Sequence, residues 1–253
     1  MYADYPEGDY EMAHKNWTIA PLVLATAVRN ISQALLLSPP GDNMDTAVLA
    51  WLLRSEDQTI LVDTGFGAMD KEDLEGQFKR TPEQTIEAQL GRFDIASEEI
   101  QLVVNTHLHI DHCAGNHFLP NARFAVQRSE LEYALHPLPV HRPAYDVDLS
   151  STKFDFLDGD ADIADGVRVI LTPGHSPGSQ AVLVDTESGL FILAGDTIAH
   201  YVNMQVPKGD SFWPGPLYLD LREYYESLDR LRDLGGTILP GHDALVLSKT
   251  VYP

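Results

Sequence analysis

Cysteine is almost absent: Cys113 is the one thiol in 253 residues. An intramolecular disulfide needs two, so none forms. A Cys-rich zinc site is excluded as well, and any metal must be held by histidines and carboxylates. Positive charge is scarce too. Lys and Arg number 17 against 38 Asp and Glu, a formal net charge of −21. Such a surface repels phosphate backbones, which argues against a nucleic-acid substrate. No apolar run approaches the roughly 20 residues of a membrane span. The opening stretch MYADYPEGDYEMAHKNW lacks the basic start and apolar middle of a signal peptide. The expectation is a cytoplasmic protein with no membrane partner. No repeat, low-complexity tract or linker divides the chain, so residues 1–253 read as a single domain.

Short strand-like segments are frequent. AVLAWLLR (47–54) and QTILVDTG (58–65) flank SEDQ, which reads as a hairpin. IQLVVNTH, ARFAVQ, GVRVILTPGH, QAVLVDTESG and LFILAGD come next, with TESG as a second hairpin turn. Helical segments alternate with them. TPEQTIEAQLGRF predicts a helix capped by Thr81 with Pro82 at its first position, and ASEEIQ a short turn capped by Ser97. RSELEYALH predicts another helix. LDLREYYESLDRLRDLGG is the clearest, with Leu221, Tyr224, Tyr225, Leu228, Leu231 and Leu234 on one face and Gly235 at its end. Two loop-rich stretches, 136–151 and 199–220, are candidate site walls.

The densest chemistry is in VVNTHLHIDHCAGN (103–116), where His107, His109, Asp111 and His112 fall at a strand-to-helix turn. Imidazole and carboxylate suit Zn²⁺, or Mn²⁺, Fe²⁺ and Co²⁺. Three more residues of ligand type each come after an apolar strand in a Gly-containing turn: His175 after VRVILTPG, Asp196 after LFILAG and His242 after TILPG. That makes seven, five His and two Asp. One tetrahedral ion needs four at most, so seven point to two ions sharing a bridge. His14, His117, His136 and His141 lack the strand–Gly setting and read as surface or loop residues; His136 and His141, with Tyr145, fall in a candidate wall.

The order HxHxDH, then His, Asp and His, resembles the metallo-β-lactamase superfamily. The resemblance implies a four-layer αββα sandwich of the α/β class, two mixed sheets face to face with helices outside. It implies one zinc on His107, His109 and His175, a second on Asp111, His112 and His242, and Asp196 bridging both. Asp63 in ILVDTG matches the superfamily's first motif and would support the metal loop from behind.

Among the branches, the best-known zinc β-lactamases use a Cys ligand after the third motif, where this chain has LAGD. Glyoxalase II shares all seven ligands but carries a helical glutathione-binding extension, whereas this sequence ends eleven residues after His242. THLHIDHCAGN, QRSELEYALH and DGDADIADGVRVILTPGHSPGSQAVLVDT are similar, in order and spacing, to the N-acyl homoserine lactone lactonases. One departure matters. Those lactonases carry a Tyr three residues after the bridging Asp, and here that place is Ala199, with His200 and Tyr201 directly after it. Either of these is a candidate to reach the substrate carbonyl in its stead.

The resemblance implies a dinuclear metal-dependent hydrolase that opens a lactone by attack of a metal-bridging hydroxide, with Asp111 as ligand and proton carrier. The alternatives are another ester, a thioester or a cyclic amide on the same centre, and a di-iron redox protein. Ser176 and Ser179 in HSPGS lack a G-x-S-x-G turn and read as turn residues. Phe212, Trp213 and Tyr218 are candidates for an apolar substrate pocket or for a homodimer contact.

Overall fold

The computed structural model describes residues 16–67, 78–205 and 211–253. His14 and residues 206–210 of the second loop-rich stretch lie outside them. The first sheet has six strands in sequential order: β1 (Thr18–Asn30), β2 (Asn43–Arg54), β3 (Thr59–Val62), β4 (Leu102–Val104), β5 (Arg123–Gln127) and β6 (Phe154–Leu157). The first three run antiparallel, and β3 to β6 pair in parallel. The second sheet holds β7 (Ala161–Ala164), β8 (Val167–Leu171), β9 (Gln180–Thr186), β10 (Gly189–Leu193) and β11 (Thr237–Leu239), in the order β11-β10-β9-β8-β7. Here β11 alone pairs in parallel, with β10. Both expected hairpins form.

Alternation along the strands builds the layers. In β2, Leu49, Trp51 and Leu53 enter the cluster between the sheets, while Val48, Ala50 and Leu52 point to the outer face. In β9, Val182 and Val184 face inward, and Ala181 and Leu183 outward. Each outer face is apolar and needs a cover. Ile86 and Leu90 of α1 (Ile86–Gly91) cover the first sheet. Tyr224, Leu228 and Leu231 of α4 (Leu221–Asp233) cover the second. Burial of each such leucine stabilises by roughly 1.5–3 kcal/mol. The result is the expected αββα sandwich. Two short helices, α2 (Ile110–Cys113) and α3 (Arg128–Leu135), lie near the strand ends. Among the described residues no helix is long and apolar enough to cross a membrane.

Local chemistry explains the helix ends. Asp220 Oδ1 accepts from Arg222 N at 2.8 Å and Glu223 N at 3.0 Å to start α4, and Gly235, at φ +69°, ends it. The helix expected from Thr81 is split. Pro82–Gln84 forms a 3-10 turn, Thr85 is extended, and the Thr85 hydroxyl caps α1 by accepting from Ala88 N at 3.1 Å. Ser97 also departs from its expected part. The turn it opens is capped by the Glu99 carboxylate, which accepts from Ala96 N at 2.7 Å.

Candidate metal centre

All seven residues of ligand type leave the C-terminal ends of β4, β8, β10 and β11 and meet at one end of the sandwich. They form two groups of mutually close ligand atoms: His107, His109, His175 and Asp196, and Asp111, His112 and His242, each within 4.8 Å. Asp196 faces both. Its Oδ2 lies 3.4 Å from His175 Nε2, and its Oδ1 lies 3.0 Å from His242 Nε2 and 3.3 Å from His112 Nε2. The loops bearing Asp196 and His242 touch so closely that a Cβ on Gly241 would meet the Gly195 carbonyl oxygen at 2.5 Å.

The hydrogen bonds behind the rings decide what the ring nitrogens offer in front. His112 Nδ1 donates to Asp63 Oδ2 at 2.8 Å, His242 Nδ1 to the Ala47 carbonyl at 2.8 Å, and His175 Nδ1 to the Leu217 carbonyl at 2.9 Å. The Thr106 hydroxyl gives its proton to Asp63 Oδ2, so His107 Nδ1 must donate to Thr106 Oγ1 at 3.1 Å. In their neutral form these four imidazoles therefore present bare Nε2 lone pairs to the centre. His112 and His242 Nε2 stand 3.2 Å apart. His109 Nδ1 lies 3.0 Å from His107 Nε2 and 3.1 Å from His175 Nε2, and a single N–H there serves only one of them. Asp196 Oδ1 is buried without a hydrogen-bond partner. Converging lone pairs at these separations repel each other, and cations bound by N and O ligands at about 2.0–2.2 Å satisfy them all. The donor set fits divalent metal.

The charge balance agrees. Burial, then the neighbouring imidazoles, push His107 and His109 well below the ordinary histidine value, and burial lowers His175. Burial also pulls on His112 and His242, but Asp196 and Asp111 outweigh it and hold both above the ordinary value. Asp196 is held well below the usual carboxylate range: burial opposes this, and His242 and His112 overcome it. Protonation of these two rings and binding of a metal ion at their Nε2 atoms would compete.

Two buried carboxylates hold the frame. Asp63, at φ +59°, accepts from Thr106 N and Thr106 Oγ1, both at 2.7 Å, as well as from His112. Glu130 of α3 is not among the residues the sequence marks, although the lactonase-like stretch QRSELEYALH contains it. It is fully buried, and among the described residues it forms no ion pair. Its Oε1 accepts from Leu108 N at 2.9 Å and Tyr145 Oη at 3.1 Å; its Oε2 accepts from Ser176 Oγ at 2.7 Å and Gly178 N at 3.0 Å. Leu108 lies between two histidines of the cluster, and Ser176 comes directly after a third. A Cβ on Gly178 would meet Glu130 Cβ at 2.4 Å, so no other residue fits there. Ser176 and Ser179 are turn residues, as expected, and Cys113 is fully buried.

A cavity of about 260 Å³ opens above the cluster, with His109, Asp111, His175, Asp196 and His242 at its floor. Ala199 and His200 line it, but Tyr201 does not: its side chain packs on the inter-sheet core, and its backbone N–H donates to Asp243 Oδ2 at 2.9 Å. Of the expected walls, Pro143, Ala144, Pro216 and Leu217 contribute. Tyr145 stacks edge-on against His109, with ring centroids 4.6 Å apart. Phe212 and Tyr218 pack beneath α4, and Trp213 Nε1 donates to the Leu36 carbonyl at 2.7 Å. These aromatics secure the loop rather than line the cavity. His141 pairs with the Tyr133 hydroxyl at 2.7 Å, and His136 is exposed. Tyr224, an apolar helix position by its spacing, donates its hydroxyl to the Asp196 carbonyl at 2.7 Å.

Residues 44–242 match the family described as the metallo-beta-lactamase superfamily. The chain belongs to this superfamily. An N-acyl homoserine lactonase of Bacillus cereus is 36% identical over 170 residues, a match covering 62% of this chain and 66% of that protein. One from Rhizobium radiobacter is 34% identical over 160 residues, covering 57% and 59%. Each sequence match thus spans less than two thirds of the relative's length. In three dimensions the likeness is wider. A Bacillus thuringiensis AiiA variant with N-decanoyl-L-homoserine bound at its active site aligns with TM-score 0.76 and 26% identity, covering 93% of this chain and 96% of that one. An N-acyl homoserine lactone hydrolase with N-hexanoyl-L-homoserine bound at its catalytic metal centre gives the same TM-score, identity and coverage.

Proposed function

We propose that this superfamily member is a two-metal hydrolase that opens the ring of a lactone, with N-acyl homoserine lactones among the substrates to test. The observation that carries the two-ion reading is Asp196, whose two oxygens face different histidine groups. His107, His109 and His175 would hold one divalent ion, Asp111, His112 and His242 the other, with Asp196 shared. Zinc is the first candidate, and Mn²⁺, Fe²⁺ and Co²⁺ suit the same donors. Such ions supply Lewis acidity toward the ester carbonyl and bring the pKa of water towards neutrality.

The chain's own residues would do the rest. Asp111 lies at the cavity floor with Oδ2 3.6 Å from His242 Nε2, where it can take a proton from the attacking water and pass it to the ring oxygen as the C–O bond breaks. His200 replaces Tyr201 as the candidate for the substrate carbonyl, because it alone of the two reaches the cavity. Pro143, Ala144, Pro216 and Leu217 would exclude water around the ring.

The similarity to lactonases favours an ester ring over a thioester or cyclic amide. Ala199 leaves the acyl part open. Metal content, measured beside a pH-indicator screen of lactones, acyl thioesters and cyclic amides, tests the reading. Turnover of lactones by protein holding about two metal equivalents is the expected result. Turnover of thioesters or cyclic amides alone would replace it.

A further inference from the structure

One wall of the cavity is polar. Arg29, Gln33, Thr46 and His200 line it, and Arg29, Gln33 and Thr46 also line a second cavity of about 600 Å³ beside it. Arg29 sits near the end of β1, with its guanidinium carbon 4.6 Å from the centroid of the Phe78 ring. Its Nε is buried without a hydrogen-bond partner. Among the described residues no carboxylate or carbonyl pairs with this guanidinium, although the chain carries 38 acidic residues. Asp45, which lines the second cavity, is exposed and forms no ion pair with it. Across the wall, His200 is 4% exposed, with Nε2 3.2 Å from Thr46 Oγ1 and Nδ1 buried and unpartnered. Two residues that each keep one buried polar atom without a partner among the described residues therefore line one cavity.

We propose that Arg29, with Thr46 and Gln33, forms a subsite for a carboxylate that the substrate carries away from its scissile bond. A planar guanidinium presents a fork that matches a carboxylate with two parallel hydrogen bonds. The Phe78 ring fixes the plane of that fork. The Thr46 hydroxyl supplies a further polar contact. Around a surface this acidic, an anionic substrate gains nothing from long-range attraction and needs a local cation. His200 also ties the subsite to the metal cluster, its ring centroid lying 6.3 Å from that of His242. The substrate class becomes a lactone with an acidic tail. This rests on the lactonase reading for the reacting end and on Arg29 for the other.

The test is calorimetric titration of the zinc-loaded protein with α,ω-diacids from glutarate to suberate, with the monoacid of equal carbon number and with the neutral ω-amide of each. One carboxylate reaches the metal cluster in every case, so the ratio isolates the second. At least one diacid binds about tenfold more tightly than both its partners. Arg29→Gln, at wild-type zinc content, brings that ratio close to one, and Arg29→Lys keeps part of it. A wild-type ratio below about threefold for every diacid overturns the subsite, whatever the variants do. So does a ratio unchanged in Arg29→Gln. Lactone opening is measured separately. No diacid preference with lactones still opened sinks the subsite alone. A diacid preference with no lactone opened sinks the lactonase reading alone.

Discussion

Replacing Glu130 by Gln changes one atom in a fully buried side chain, yet it breaks a balance that the fold sets tightly. Each carboxylate oxygen accepts one backbone N–H and one hydroxyl: Leu108 N and Tyr145 Oη on one, Gly178 N and Ser176 Oγ on the other. Hydroxyls rotate, so either can accept from an amide NH2. A backbone N–H cannot turn. Whichever way the Gln amide is placed, its NH2 faces either Leu108 N–H or Gly178 N–H. One hydrogen bond to a charged acceptor is lost, about 1.5–3 kcal/mol, and a buried N–H is left unmade, about 1–3 kcal/mol. Burying a neutral amide instead of a carboxylate returns part of this. The net loss is about 3 kcal/mol, which for a chain of this size lowers Tm by roughly 6–12 °C.

The same change reaches the metal centre. Leu108 lies between His107 and His109, and Ser176 is next to His175, so the loosened N–H frees the group that would hold the first ion. Loss of such support weakens metal affinity by about 10–100-fold. Thermal unfolding of the chelated protein gives the first figure, and competition with a chromogenic chelator the second. Tyr145→Phe removes only a rotatable hydroxyl and should cost about 1 kcal/mol. A Glu130→Gln variant that melts within about 2 °C of wild type and binds zinc as tightly would refute the claim that each oxygen is committed to a backbone donor.

The site residues themselves give three further outcomes. His109→Ala removes the nitrogen facing both His107 and His175; metal analysis should show the first ion gone and lactone turnover down by about a thousandfold or more. Asp111→Asn keeps the fold, checked by circular dichroism, but slows turnover by roughly 100–10,000-fold, and unchanged turnover removes Asp111 from the proton path. His200 is depressed to about 3 by burial first and His242 next. The unfolded chain therefore binds a proton below about pH 6.5 that the folded chain refuses, and stability falls as pH drops through that point. Urea unfolding of the chelated protein at pH 7 and pH 4.5 should show this contribution, roughly 2–3 kcal/mol, disappear in His200→Phe.

What is legible in the sequence, and what is hidden, divides by the range of the interaction. The hairpins around SEDQ and TESG, the capped and Gly-ended α4, and the strand–Gly–ligand turns are each written within about ten residues, and the structure reproduces them. The 13-residue β1 is not legible. Its apolar residues serve both faces of the sheet, so TIAPLVLATAV shows no alternation. The helix from Thr81 reads too long because Thr85 repeats the capping chemistry of Thr81 and restarts the helix. Tyr201 and Trp213 look like site residues by position alone. Their placement is fixed by hydrogen bonds to Asp243 and Leu36, which lie 42 and 177 residues away.

Glu130 and Arg29 show how tertiary context separates two charges that a sequence presents as equivalent. Both are polar residues on elements that look ordinary. The fold gives Glu130 four donors, drawn from Leu108, Tyr145, Ser176 and Gly178, and makes it part of the frame. It gives Arg29 an aromatic ring to rest on and, among the described residues, no acceptor for its buried Nε. Desolvating a charge is costly, so the buried Glu130 is offset within the protein, while the half-buried Arg29 is open to an anion. The metal cluster obeys the same rule on a larger scale. Its imidazoles are anchored from behind by Asp63, Thr106, Ala47 and Leu217 and left bare in front. The groups that the fold leaves unpaired at this end of the sandwich, lone pairs at the floor and a guanidinium on the wall, outline the substrate: an electrophilic ring at one end and an acid at the other.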